Sequence, residues 1–464
     1  MNYKNLKRML ASFMFVPLLF SLMSCSGAGA DNSESKNTSD DSKTVSVSKE
    51  KSTSKEDSGG GTSLEVAVDL GDFRLDVFKS IIADFEKDTG IKVELTAPGP
   101  DYETVLKTRM ASNDLPDVWT THGWSVMRYS DYLMPLNDQD WYDSVTDDAK
   151  NVITDEKGDI YVLPATVGIS AVMYNADVLK AAGIVPEEIH TTADFEEACE
   201  KIKASGVTPI FIGGKEPSNG AGFINTYLLP MMLTNDGAAY PSADTLQDGT
   251  FDWKKTGMPV MQKFADYVNK GYLNENYSTA DTAEMQKSLG EGKCGFVVRG
   301  ILNLAAAKSY VPDANLGVLP VPYYKDGGKN MFQVGESSCF GVWKDTKNKE
   351  AALQLLDYIA TKNVIPELCE TEGSVPGLSG ISYGDSYATE AYYTSIKQFE
   401  SNLIYDNVFD RQYFPSGMWN VMSEATTEIA LDPSKEGVKS AVSLLGENFN
   451  DNMKKLIPVI KRCF

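Results

Sequence analysis

The stretch Phe85-Glu86-Lys87-Asp88-Thr89-Gly90-Ile91-Lys92-Val93-Glu94-Leu95 decides how this chain folds. Its first half closes a helix-periodic run in which Val77, Ile81, Ile82 and Phe85 share one face. Gly90 then supplies the left-handed turn that ends a helix, a backbone that only a residue without a Cβ adopts cheaply. Ile91 to Leu95 alternates apolar and charged residues, the period of a strand. Upstream, Leu64-Glu65-Val66-Ala67-Val68 has the β-branched character of a strand and ends at Asp69-Leu70-Gly71-Asp72. Downstream, Tyr102 to Met110 forms a second amphipathic pattern, and Asp117-Val118-Trp119-Thr120 follows Pro116 as a third strand. Strand–helix–strand units of this length predict an α/β fold with parallel strands and right-handed crossovers. In such sheets ligands bind beyond the carboxyl ends of the strands, here near residues 69–72, 97–102 and 121–124.

The N-terminus has a different character. A basic head (Lys4, Lys7, Arg8) precedes an apolar run from Met9 to Met23, and Leu22-Met23-Ser24-Cys25 closes it. The run is too short for a membrane span, which needs about 20 apolar residues, and has the build of a secretory signal peptide. A cysteine directly after the small Ser24 resembles the bacterial lipobox, which implies residues 1–24 as a lipoprotein signal peptide and Cys25 as the lipidated (palmitate-bearing) first residue of the mature protein. Residues 26–62 are almost wholly Ser, Lys, Asp, Glu, Gly, Asn and Thr, with no aromatic residue. They cannot bury enough apolar area to offset their ordering entropy, so residues 25–62 are expected to be the lipidated cysteine and a disordered tether. As a flexible coil this tether has a root-mean-square span of about 33 Å. The S-x-x-K patterns at Ser46 and Ser48 arise there by composition and carry no catalytic meaning.

The formal charge is −22, and it grows more negative when Lys4, Lys7 and Arg8 leave with the signal. Such a chain repels nucleic acid and anionic lipid at long range, which excludes nucleic-acid binding. The roughly 400 residues after the tether are too many for one core, so at least two lobes are expected. Cys199, Cys294, Cys339, Cys369 and Cys463 are scattered and lack C-x-x-C spacing, so neither a zinc site nor a disulfide framework is signalled. With only His122 and His190 present, most histidine-based catalysis and metal chemistry falls away, and no metal or cofactor is expected.

The Phe85–Val93 stretch also resembles the first helix–strand junction of the extracellular solute-binding proteins of family 1, the maltose-binding-protein type. Further likenesses follow in family order. They include Ala111-Ser112 with Leu115-Pro116-Asp117-Val118, Gly158 to Pro164, Met173-Tyr174-Asn175 and Leu179 to Ile184. Pro186 with Thr192-Ala193-Asp194-Phe195 stands where the family has P-x-T-W-x-E-F, with Ala for Trp and Asp for Glu. Gly290 to Gly300, Asn315 to Pro320 and Gly373-Ser374-Val375-Pro376 complete the series. The resemblance runs from residue 64 to 445. It implies a two-lobed periplasmic-binding-protein type II fold with hinge strands and an interlobe ligand cleft. Lobe 1 would be residues 63–167 plus 336–372, and lobe 2 residues 168–335 plus 373–464. The hinges would lie near residues 165–168, 334–337 and 372–375. It further implies a monomeric lipoprotein on the extracellular face of the bacterial membrane, held by its lipid anchor only, that passes a carbohydrate to the permease subunits of an ABC transporter.

Sugar sites combine aromatic platforms with carboxylate, arginine and amide partners for hydroxyls. By spacing from Phe85, Asp72 matches a sugar-contacting aspartate of the family, and it is equally placed to cap a helix. His122 and Trp124, in Thr121-His122-Gly123-Trp124, stand at the end of the third strand, where the family often places a stacking aromatic; a core tryptophan is the alternative. Tyr413 and Trp419, in Tyr413-Phe414-Pro415-Ser416-Gly417-Met418-Trp419, match a C-terminal stacking segment, and simple helix packing would also account for Trp419. Arg299 ends the apolar run Gly295-Phe296-Val297-Val298, and an arginine there needs an anion or a polar ligand. Glu336, at the second hinge, faces the cleft or pairs with a hinge cation such as Arg299. Phe223 and Tyr227 fit either ligand contact or core packing.

A lipid-anchored glycoside hydrolase is the alternative function, since Asp72 and Glu336 could form a carboxylate pair about 5–9.5 Å apart. The nucleophile-elbow, H-E-x-x-H, P-loop and dinucleotide motifs are all missing from the folded region. The anchor itself is testable. Cys25→Ala is expected to release the protein from membranes or leave it unprocessed, read by fractionation and mass spectrometry; a mature, membrane-bound Cys25→Ala protein contradicts the lipobox assignment.

Overall fold

The computed structural model describes residues 63–121, 129–155, 157–234, 242–325, 327–415 and 417–463, apart from a few side chains, those of Asp72 and Glu336 among them. Twelve strands appear among these residues: β1 Ser63–Ala67, β2 Lys92–Thr96, β3 Val118–Thr120, β4 Leu163–Pro164, β5 Thr166–Asn175, β6 Thr208–Ile210, β7 Cys294–Gly300, β8 Leu316–Leu319, β9 Asn330–Glu336, β10 Cys339–Val342, β11 Val375–Pro376 and β12 Leu403–Asn407. The helices that matter for the site are α1 Asp72–Thr89, α2 Tyr102–Ser112, α3 Ser218–Phe223, α4 Val364–Glu372, α5 Phe409–Tyr413 and α6 Met418–Leu431.

The first sheet has the order β2-β1-β3-β10-β4. Its β1, β2 and β3 run parallel, with α1 and α2 as crossovers, and β10 is antiparallel to both β3 and β4. The predicted junction forms as read. Gly90 caps α1 at φ 77°, its N–H bonding to the Glu86 carbonyl. The Glu86 carboxylate then takes the backbone N–H of Val93 at 2.8 Å, tying the helix end to β2. That bond, helped by Lys92, holds the Glu86 carboxyl below its ordinary range. Two details differ from expectation. Phe78, rather than Val77, fills the buried stripe of α1 and stacks on Phe340 at 5.4 Å, because the neighbouring strand β10 supplies a matching ring. Gly71, rather than Asp72, is the N-cap of α1, so Asp72 is its first helical residue.

The second sheet has the order β12-β9-β5-β7-β6, with β8 and β11 also paired to β5. The ten-residue β5 is its spine, antiparallel to β7, β8, β9 and β11. Both faces of this sheet are covered. Phe296 and Val298 of β7 point into one apolar core with Phe195, Phe223 and Tyr227, while Val297 joins the other core with Phe340 and Leu355. Alternate residues of one strand thus feed two cores, as the period of 2 requires. Cys199, Cys294, Cys339 and Cys369 are all buried.

The chain passes between the sheets three times among the described residues, each time within two residues. Ala165 alone separates β4 from β5, Ser337-Ser338 separate β9 from β10, and Gly373-Ser374 separate α4 from β11. These positions fall within or beside the three hinge segments expected from the sequence. Gly377 lies against the first crossing, where a Cβ would stand 1.9 Å from the Pro164 carbonyl oxygen.

Candidate functional site

Arg299 is the penultimate residue of β7, and Gly300 after it pairs with Ser170 of β5, a short distance beyond the Ala165 crossing. The Arg299 side chain runs over α3. Its Nη1 donates to the Ser218 carbonyl at 3.2 Å, and its Cζ lies 5.9 Å from the centroid of the Trp419 ring at the start of α6. The guanidinium fits only because residue 222 is glycine: a Cβ there would stand 1.7 Å from Nη1. Nε is buried and has no hydrogen-bond partner among the described residues. No described carboxylate lies within ion-pair distance, and burial pushes the group down to about 10, which leaves it charged at neutral pH. Arg299 is half-buried, and among the described residues one carbonyl and one indole face answer its charge. Donors of the guanidinium beyond the one given to Ser218 have no acceptor among the described residues.

Beside it, a polar ladder fixes the neighbouring elements. Asn225, in the π-turn Ile224–Leu228 that continues α3, donates from Nδ2 to Asp410 Oδ1 at 3.0 Å and accepts the Asp410 N–H at 3.0 Å. Gln333 of β9 donates to the Asn225 carbonyl at 3.0 Å, and its fully buried Oε1 has no partner among the described residues. These bonds tie α3, α5 and β9 together.

The structure brings Arg299 and Trp419 together, as a pair that spacing alone did not reveal. Trp419 is half-buried and packs by one side against the second core. Phe223 and Tyr413 both pack in the core, for Phe223 one of the two placements the sequence allowed. Phe223 is fully buried between Tyr227, Phe264 and Tyr267. Tyr413 is buried against Phe409, and burial with Asp406 and Asp244 nearby pushes its hydroxyl up to about 12. Both sit on elements whose outer residues reach the site, and a helical pattern does not say which residue faces inward. Tyr227 is buried too, its hydroxyl 3.3 Å from that of Tyr267. His122 and Trp124 lie outside the described residues, as do the side chains of Asp72 and Glu336. Gly222, Asn225 and Gln333 escaped the sequence reading. Asn225 and Gln333 carried a usable signal, each being a polar residue inside an apolar run; Gly222 carried none. Among the described residues no cluster of His, Cys, Asp and Glu side chains could hold a metal ion.

Two sheets joined by three short crossings are the frame of a two-lobed ligand-binding receptor. Residues 75–364 match the family model of the bacterial extracellular solute-binding proteins, and the chain belongs to that family. It is 28% identical over 367 residues to the melibiose/raffinose/stachyose-binding protein MelE of Bacillus subtilis, covering 78% of this chain and 83% of that one. A sugar transporter protein of Bacillus licheniformis, solved in complex with stachyose, is 28% identical with a TM-score of 0.74, over 84% of this chain and all of that one. A Bacillus subtilis binding protein in an open conformation superposes with a TM-score of 0.77 at 25% identity, over 85% of this chain and 98% of that one.

Gly222→Ala tests the packing of the arginine. The added methyl is expected to displace the guanidinium from Trp419 and change the intrinsic fluorescence, with helix propensity if anything improved. The change should vanish in a Trp419→Phe background; an unaltered spectrum in the single variant contradicts the arrangement.

Proposed function

We propose that this chain is the carbohydrate receptor of an ABC importer, held at the outer face of the cell membrane by a lipid on Cys25, and that its ligand is an oligosaccharide of the raffinose and stachyose class. The observation that carries the reading is the Arg299–Trp419 pair, a charged fork with free donors beside a flat apolar face, which is the chemistry a pyranose ring and its hydroxyls need. The ligand class is supported by MelE and by the stachyose-bound relative, both 28% identical to this chain. Asp72, His122, Trp124 and Glu336 complete the proposed site. Phe223 and Tyr413 back it from the core. The lobes that close on the sugar are residues 63–167 with 336–372 and residues 168–335 with 373–464. The protein acts as a monomer with the permease subunits as its partners and turns nothing over. No observation favours the hydrolase reading.

Titration calorimetry with raffinose and stachyose tests this. Binding of intact sugar is expected, and Trp419→Ala and Arg299→Ala should each weaken it at least tenfold, about 1.4 kcal/mol or more. Wild-type affinity in both folded variants contradicts the site; hydrolysis of the sugar contradicts the receptor.

A further inference from the structure

Glu372, the last residue of α4, is 5% exposed and sits where the three crossings meet. Its carboxylate receives hydroxyl donors from all of them. Oε2 accepts from Thr166 at 2.6 Å, from Ser337 at 2.9 Å and from Ser374 at 3.4 Å. Oε1 accepts from Ser338. The Thr166 hydroxyl, having given its proton to Glu372, accepts the Ser338 backbone N–H at 2.9 Å, which closes the network between the first two crossings. No described cation pairs with Glu372. A buried carboxylate satisfied by hydroxyls alone is a costly substitute for an apolar side chain unless its directional bonds serve a purpose. Apolar packing at this point would hold the crossings together without fixing their angles, since it has no directional preference.

We propose that Glu372 is the positioning residue of the hinge: its carboxylate fixes the mutual angle of the three crossings and so sets the relative orientation of the two lobes in the sugar-free protein. The proposal rests on the reading of the chain as a two-lobed receptor that closes on its ligand, and it concerns a residue that takes no part in contacting sugar. The hydroxyl donors belong to three separate crossings, so rotation of one lobe on the other must stretch or exchange these bonds. The carboxylate, with four donors on two oxygens, can exchange them without leaving any hydroxyl unpaired. That gives the hinge a defined rest position and a low-cost path away from it.

The test uses the full chain without sugar, with spin labels attached through bio-orthogonal residues at the exposed positions Lys87 and Lys201, one on each lobe. Double electron–electron resonance then reads the interlobe distance distribution. In Glu372→Gln, which turns half the acceptor into a donor, the distribution is expected to broaden at least twofold or shift by several ångströms, an order of magnitude set by known hinge motions. Thr166→Val and Ser338→Ala, each removing one donor, should broaden it in the same sense, and they carry the test if Glu372→Gln does not fold. Distributions that superpose on the wild type, even with lowered thermal stability, overturn the proposal and leave Glu372 a local stabiliser. Because no sugar is present, that failure is separate from a failure of raffinose or stachyose to bind.

Discussion

Three crossings of one or two residues each hold the two sheets of this protein in register, and everything else in the site is positioned through them. Ala165, Ser337-Ser338 and Gly373-Ser374 leave the backbone almost no slack, so the ends of β4, β5, β9 and β10 must lie side by side. Backbone bonds fasten them further: Ala165 N–H donates to the Ser338 carbonyl at 2.9 Å and Ser337 N–H to the Thr166 carbonyl at 3.1 Å. Such short connections concentrate any lobe rotation into a few dihedral angles, which is how hinge closure differs from sliding. The spine strand β5 carries that geometry outward to β7, and β7 delivers Arg299.

The electrostatics of the site run against those of the chain. A molecule with a formal charge of −22 has ample carboxylate to neutralise a cation, and several lysines and arginines are paired in this way. Arg109 makes an ion pair with Glu65, and Lys263 and Lys270 share Glu196. Arg299 receives a carbonyl and an indole instead. Among the described residues no carboxylate answers Arg299, and Gly222 leaves room for its guanidinium beside the Trp419 ring. The same logic sets Glu372 apart from the surface carboxylates, since its partners are hydroxyls on separate segments rather than a neighbouring cation.

The fold was legible in the sequence because its signals are local. Gly90 ends a helix by its own backbone preference, and the alternation of Ile91 to Leu95 is complete within five residues. Arg299 was legible for the same reason, as a charge closing an apolar strand. What could not be read depends on contacts between residues distant in the chain. Glu372 and Thr166 are 206 positions apart, and only the folded crossings bring them together. Gly222 matters through the atoms of Arg299 and has no pattern of its own. Phe223 takes the core placement, one of the two its sequence allowed, because periodicity finds a helix face without saying what covers it.

In the proposed receptor the two lobes close on an oligosaccharide held between them. Small-angle X-ray scattering of the full chain, with and without saturating raffinose or stachyose, tests it most directly. A smaller radius of gyration is expected in the presence of the bound sugar, because the ligand gains contacts from both walls only when they meet. An unchanged scattering profile at saturation, with binding shown in the same sample by calorimetry, would contradict it.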